Sequence, residues 1–70
     1  MNITYNKNLT KRELEVLNWV ALGYSNKEIA KILGITAHTV KAHLDNIYAK
    51  SNAHGKVAAV NYGLKHGLFD

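Results

Sequence analysis

The sequence has 70 residues, no cysteine, and a formal net charge of +4 from nine Lys and Arg against five Asp and Glu. Such a chain forms one small domain, and it lacks the thiols needed for a disulfide framework or a thiolate zinc site. No two of its four histidines lie four residues apart, and no apolar run approaches the roughly 20 residues of a membrane span, so we expect no metal, no cofactor and a cytoplasmic location.

The N-terminal part of the chain is a polar stretch followed by a helix. Residues 1–8 contain three asparagines and are predicted to be a tail or the end of a linker. Residues 9–70 are predicted to be one all-α domain of four helices. The first helix begins at Thr10, because the sequence TKRE at residues 10–13 is a capping box. Gly23 ends this helix.

Residues 26–45 are predicted to form a helix-turn-helix motif. Ser25 caps its first helix, and Gly34 ends that helix where a residue able to take positive φ is useful. Thr36 caps the second helix of the motif, which is the third of the domain and extends to about Ser51. The second helix of a helix-turn-helix motif fits the major groove of DNA.

A fourth helix is predicted from Lys56 to His66. Ala59 and Gly63 are small and four residues apart, which suits close packing on the body of the domain. A neighbouring stripe has two interpretations of equal weight, a dimer surface or a cover for the core, and comprises Val57, Val60, Asn61 and Leu64. The predicted core of the domain comprises Leu14, Leu17, Ile29, Ala30, Leu33, Ile35, Val40, Leu44 and Ile47.

Several blocks of the sequence resemble one protein family. The blocks LTKRELEVL at residues 9–17, GYSNKEIA at 23–30, TVKAH at 39–43 and NIYAK at 46–50 are similar to the motifs of LuxR-, GerE- or NarL-type helix-turn-helix domains. The resemblance covers about residues 9–68, and the free-standing GerE-type regulators are closest in size. It implies a four-helix DNA-binding domain in which the third helix reads the major groove and the fourth commonly supplies a dimer contact.

Three positions depart from the pattern of that family. Ser51 stands where the family usually has Leu, which argues against an apolar contact between the third and fourth helices. Lys56 stands where it usually has Arg, so the charge is kept and the planar fork is lost. Asp45 places a negative charge on the side of the recognition helix that would face DNA.

The outer face of the third helix carries the candidate base contacts. Lys41 can donate to guanine O6 and N7, the methyl group of Ala42 can meet a thymine methyl, and Asp45 can accept from cytosine N4. The alternative for Asp45 is a solvent-facing charge. Phosphate contacts are expected from the N-terminus of the second helix, where free backbone N–H groups favour an anion. Ser25 there could serve only as a cap, and Lys27 could be only a solvated lysine. Thr39 and Lys50 flank the recognition surface and are also expected to contact phosphate. The complete set predicted to contact DNA comprises Ser25, Asn26, Lys27, Thr36, His38, Thr39, Lys41, Ala42, Asp45, Asn46 and Lys50.

The leading functional prediction is sequence-specific binding of double-stranded DNA by a transcriptional regulator or by the output domain of one. The expected assembly is a homodimer through the fourth helix that is weak without DNA, and RNA polymerase is a further candidate partner. A helix-turn-helix module that binds a protein instead of DNA is the alternative, favoured by Asp45 and by the single arginine, Arg12. An enzyme is not expected, because the sequence has no nucleophile–base pair, phosphate-binding glycine loop or paired-carboxylate site.

Overall fold

The computed structural model describes residues 9–69, which form four α-helices and no strand. These are α1 (Lys11–Ala21), α2 (Asn26–Leu33), α3 (Ala37–Ser51) and α4 (Lys56–Lys65). The predicted all-α, four-helix architecture is confirmed. The fourth helix is one residue shorter than predicted, since His66 is its C-cap. The tail predicted at residues 1–8 lies outside the described residues.

The first three helices begin where polar side chains bind their free backbone N–H groups. In α1 the Thr10 hydroxyl accepts from the Glu13 N–H at 3.1 Å, and the Glu13 carboxylate accepts from the Thr10 N–H at 2.9 Å. Ser25 and Glu28 form the same reciprocal pair at the start of α2. Thr36 caps α3 by accepting from the Thr39 N–H at 3.0 Å. These contacts satisfy orphan donors and confirm all three predicted helix starts.

The turn between α2 and α3 depends on a left-handed residue. Gly34 has φ 71° and ψ 33°, a conformation that costs a residue with a Cβ atom about 1–2 kcal/mol. Its N–H donates to the Ala30 carbonyl, which closes the helix. The chain then enters α3 within two residues, so the two helices of the motif lie in contact. Ile35 lies in this turn, where it is half-buried and packs against the core.

One hydrophobic core joins the four helices. Among the predicted core residues, Leu17, Ile29, Val40 and Ile47 are completely buried, and Leu44 and Ala30 are nearly so. The remaining three, Leu14, Leu33 and Ile35, are only half-buried and pack against the edge of the core. The other buried hydrophobic residues were not in the predicted set, and these are Leu9, Val16, Val20, Ala53 and Ala59.

A partly buried ion pair links α3 to α1. The Lys50 ammonium group lies 2.8 Å from the Glu13 carboxylate, and the Glu13 side chain is almost fully buried. Burial tends to raise the pKa of this carboxyl, but hydrogen bonds from Lys50 and from Thr10 outweigh it and hold the pKa below its usual value. Glu13 is therefore charged in the folded domain, and it serves both as a helix cap and as an anchor for α3.

Small residues on α4 allow it to pack closely against Phe69 and the core. Ala59 is completely buried and Gly63 is buried, as the sequence predicted. A Cβ atom at Gly63 would lie 2.6 Å from the Phe69 ring and 3.4 Å from Leu17. At the C-terminus of α3 the Ser51 hydroxyl donates to the Ile47 carbonyl at 2.7 Å, so this residue binds its own helix.

Candidate nucleic-acid interface

The outer face of α3 is open to solvent along its length. His38, Lys41, Ala42, Asp45 and Asn46 are all exposed, because they lie opposite the buried stripe of the same helix. Their spacing of three and four residues places them in one row. The structure therefore brings the predicted base-reading residues together on one convex surface, which is the shape that enters a major groove.

Two charged residues at the centre of this face bind each other. The Lys41 ammonium group lies 3.2 Å from Oδ2 of Asp45, one helical turn further along. Their side chains are 68% and 58% exposed, so neither is needed to fill the core. Ala42 lies beside the pair and is exposed. Its small side chain leaves room for the helix to approach a surface closely.

The N-terminus of α3 adds hydroxyl groups to the same side of the domain. The Thr36 and Thr39 hydroxyls lie 2.9 Å apart and bind each other. Thr36 is exposed and Thr39 is half-buried. Hydroxyls in this position can turn toward a phosphate oxygen without loss of the backbone cap.

The N-terminus of α2 is the second part of the candidate interface. Glu28 binds the Ser25 N–H, and this hydrogen bond lowers the pKa of the Glu28 carboxyl. The N–H groups of Asn26 and Lys27 have no intrahelical acceptor, because they belong to the first turn. Lys27 is exposed and Asn26 is half-buried, with a side-chain oxygen that has no partner among residues 9–69. Backbone donors and a cation thus lie at one helix end, which favours an anion.

Comparison with known proteins identifies the family of the chain. Residues 7–62 match the model of the bacterial regulatory proteins of the luxR family. This chain belongs to the LuxR family. The match covers the helix-turn-helix motif, α1 and most of α4.

Individual relatives agree with the family match. The response regulator protein VraR of Staphylococcus aureus is 47% identical over 60 residues, which are 86% of this chain and 29% of the relative. The VraR proteins of Staphylococcus saprophyticus and Staphylococcus epidermidis match with the same identity and coverage. The LuxR-family chain thus spans 29% of the length of these curated relatives. Family and relatives support a DNA-binding transcriptional regulator or the output domain of one.

In this LuxR-family domain Lys50, one of the residues predicted to contact DNA, binds a side chain of the protein itself. Lys50 was predicted to flank the recognition surface, and its side chain is 37% exposed. Its ammonium group binds the buried Glu13 carboxylate, a partner 37 positions away that no local pattern indicates. A phosphate contact by Lys50 stays a prediction, and it would compete with this ion pair.

The stripe on α4 is divided between the core and the solvent. Val60 is half-buried and packs against the core, so the interpretation as a core cover holds for this residue. Val57 and Leu64 are 76% and 64% exposed, and Asn61 is exposed. Val57, Val60 and Asn61 also line a groove between the start of α4 and the end of α1. The LuxR-family domain therefore presents apolar side chains on an exposed face of α4, and part of this face lines the groove.

Residues 9–69 contain no group of three or more His, Cys, Asp or Glu side chains that could hold a metal ion. None of the helices described within these residues is long and apolar enough to cross a membrane.

Proposed function

We propose that the domain binds double-stranded DNA with α3 in the major groove and the N-terminus of α2 against the sugar–phosphate backbone. The observation that carries this proposal is the single exposed face on which Lys41, Ala42 and Asp45 lie together, opposite a stripe that is completely buried. The function is binding rather than catalysis, and the proposed location is the cytoplasm.

The proposal divides the contacts into two classes. Lys41 and Ala42, near the centre of α3, are expected to contact base edges and to carry sequence information. Ser25, Asn26 and Lys27 are expected to contact phosphate through a cation and free backbone N–H groups, which position the domain without specifying a sequence. Thr36, His38, Thr39 and Asn46 lie at the N-cap of α3 or on that helix and are expected to contact DNA beside the base-reading residues, with Thr39 contacting phosphate.

We propose further that two copies of the domain bind one operator through α4. One recognition helix contacts only a few base pairs, whereas two helices on half-sites about 10 base pairs apart read twice as many. Val57 and Leu64 are apolar and exposed, and beside them lies the groove along α1. This surface is small, so we expect a dimer that is weak in solution and becomes stable on DNA. In the intact regulator, RNA polymerase is a further proposed partner.

The salt dependence of binding separates DNA binding from protein binding. Binding to phosphates releases condensed counterions, so the affinity for a duplex should fall by about tenfold or more between about 50 and 200 mM salt. Fluorescence anisotropy with a labelled duplex of a sequence enriched from a random library measures this slope. Failure to bind duplex DNA at low salt would reject the proposal in favour of a helix-turn-helix module that binds another protein.

A further inference from the structure

The ion pair between Lys41 and Asp45 places a donor and an acceptor side by side at the centre of the recognition face. The Lys41 ammonium group can only donate hydrogen bonds, and the ionised Asp45 carboxylate can only accept them. Their polar atoms lie 3.2 Å apart. Both side chains are exposed, and no other charged group of the described residues is paired with either of them.

A single base pair presents the complementary arrangement in the major groove. Guanine O6 is an acceptor and cytosine N4 is a donor, and both are exposed on the groove edge. The Watson–Crick hydrogen bond joins these two atoms, so they lie about 2.9 Å apart. The separation within the base pair thus matches the separation within the ion pair.

We propose that Lys41 and Asp45 act together as one reading unit for a single G·C base pair. Lys41 donates to guanine O6 and N7, and Asp45 accepts from cytosine N4 of the same pair. This inference rests on the proposed docking of α3 in the major groove. The operator should therefore carry a G·C base pair opposite Lys41 and Asp45. Asp45 then determines specificity and does more than disfavour DNA by its charge.

The other three base pairs fit this unit less well. With the helix orientation fixed, C·G and A·T each place a donor opposite the ammonium group and an acceptor opposite the carboxylate. T·A offers thymine O4 to Lys41 and adenine N6 to Asp45, but adenine N7 is an acceptor that faces the carboxylate. Lys41 also loses the second acceptor that guanine N7 provides. The unit therefore favours G·C over all three alternatives.

The ion pair also restricts the conformation of the Lys41 side chain before DNA is bound. A lysine side chain has many rotamers, and each hydrogen bond that it forms restricts them. In the free domain Asp45 already holds the ammonium group over the recognition face. Asp45 is consequently a positioning residue for Lys41 as well as a contact to cytosine.

The test compares base preferences of Lys41→Ala, Asp45→Ala and Asp45→Asn with those of the parent domain. Each protein is titrated with a set of duplexes derived from the sequence most enriched by the parent, in which every position carries each of the four base pairs. We expect both alanine variants to lose preference at the same G·C pair, by about five- to 100-fold. We expect Asp45→Asn to shift the preference there toward T·A, because asparagine binds adenine N6 and N7.

Glu15→Ala provides a matched control. Glu15 pairs with Arg12 at 3.3 Å on α1, and both side chains are exposed. This substitution removes the same charge and an ion pair of the same kind, and it should leave base preference unchanged. All variants should melt at the temperature of the parent, because the substituted side chains are exposed.

Two results would overturn the inference without affecting the proposed function. In one, Asp45→Ala raises affinity for every duplex equally and keeps the base preferences of the parent. In the other, Lys41→Ala and Asp45→Ala alter preference at different base pairs. If the parent binds no duplex at low salt, the proposed function itself fails, and the inference fails with it.

Discussion

Ile29→Ala should lower the free energy of unfolding by about 2–4 kcal/mol, because it opens a cavity at the centre of the domain. Ile29 is completely buried and lies on α2, whose apolar face packs against α3. Removal of its three outer carbon atoms loses packing contacts within the core, and a core of this size has few other side chains to fill the space. The domain is small, so the loss is a large fraction of its stability.

Urea denaturation followed by circular dichroism measures this effect, and Ile32→Ala is the matched control. Ile32 lies on the same helix, but it is exposed to solvent. Its substitution should change the free energy of unfolding by less than about 0.5 kcal/mol. Equal effects of the two substitutions would show that the assigned face of α2 is wrong.

Leu64→Lys should reduce affinity for a full operator by about 100-fold and leave half-site binding intact. Coupling two DNA contacts through α4 raises the apparent affinity by roughly 10²–10⁴ over that of one domain. A lysine on each copy would place like charges in a small apolar interface, which disfavours the contact. The fold should be kept, because Leu64 is mostly exposed in the single domain.

Leu22→Lys is the control for the added charge. Leu22 is also apolar and exposed, but it follows the end of α1 and does not belong to the α4 stripe. Titration of half-site and full-site duplexes with both variants gives the cooperativity directly. Cooperative full-site binding by Leu64→Lys at the level of the parent would exclude this face of α4 as the dimer surface.

Local sequence signals predicted the helices well. Thr10, Ser25 and Thr36 each cap the helix that was predicted to start after them, and Gly34 takes the left-handed conformation that its position required. Such signals depend on side chains that bind backbone groups two or three residues away. Neither packing nor the rest of the chain is needed to read them.

Contacts between distant residues were not predictable in the same way. Glu13 was recognised as part of a capping box, yet its ion pair with Lys50 joins two helices and needs the packed structure. Leu9 and Ala53 flank helices and are buried, although no periodicity indicates which loop residues turn inward. The division of the α4 stripe into buried and exposed members likewise depends on how α4 lies against α1.

The exposed face of α3 was predictable because it is the complement of a strong apolar stripe. Val40, Leu44 and Ile47 fix which side of α3 is buried, and the opposite side then follows from helix geometry. The pairing of Lys41 with Asp45 is possible at a spacing of four residues, but the sequence alone did not connect it to one base pair. The structure supplied the distance on which that inference rests.

The most direct test of the proposed docking is a comparison of Lys41→Ala with Lys27→Ala. Lys41→Ala should weaken binding to the preferred sequence by roughly 1–3 kcal/mol and relax preference at one base pair. Lys27→Ala should weaken binding to all sequences alike and reduce the salt slope by about one unit. If Lys27→Ala alters base preference and Lys41→Ala only flattens the salt slope, α3 does not read the groove in the orientation proposed.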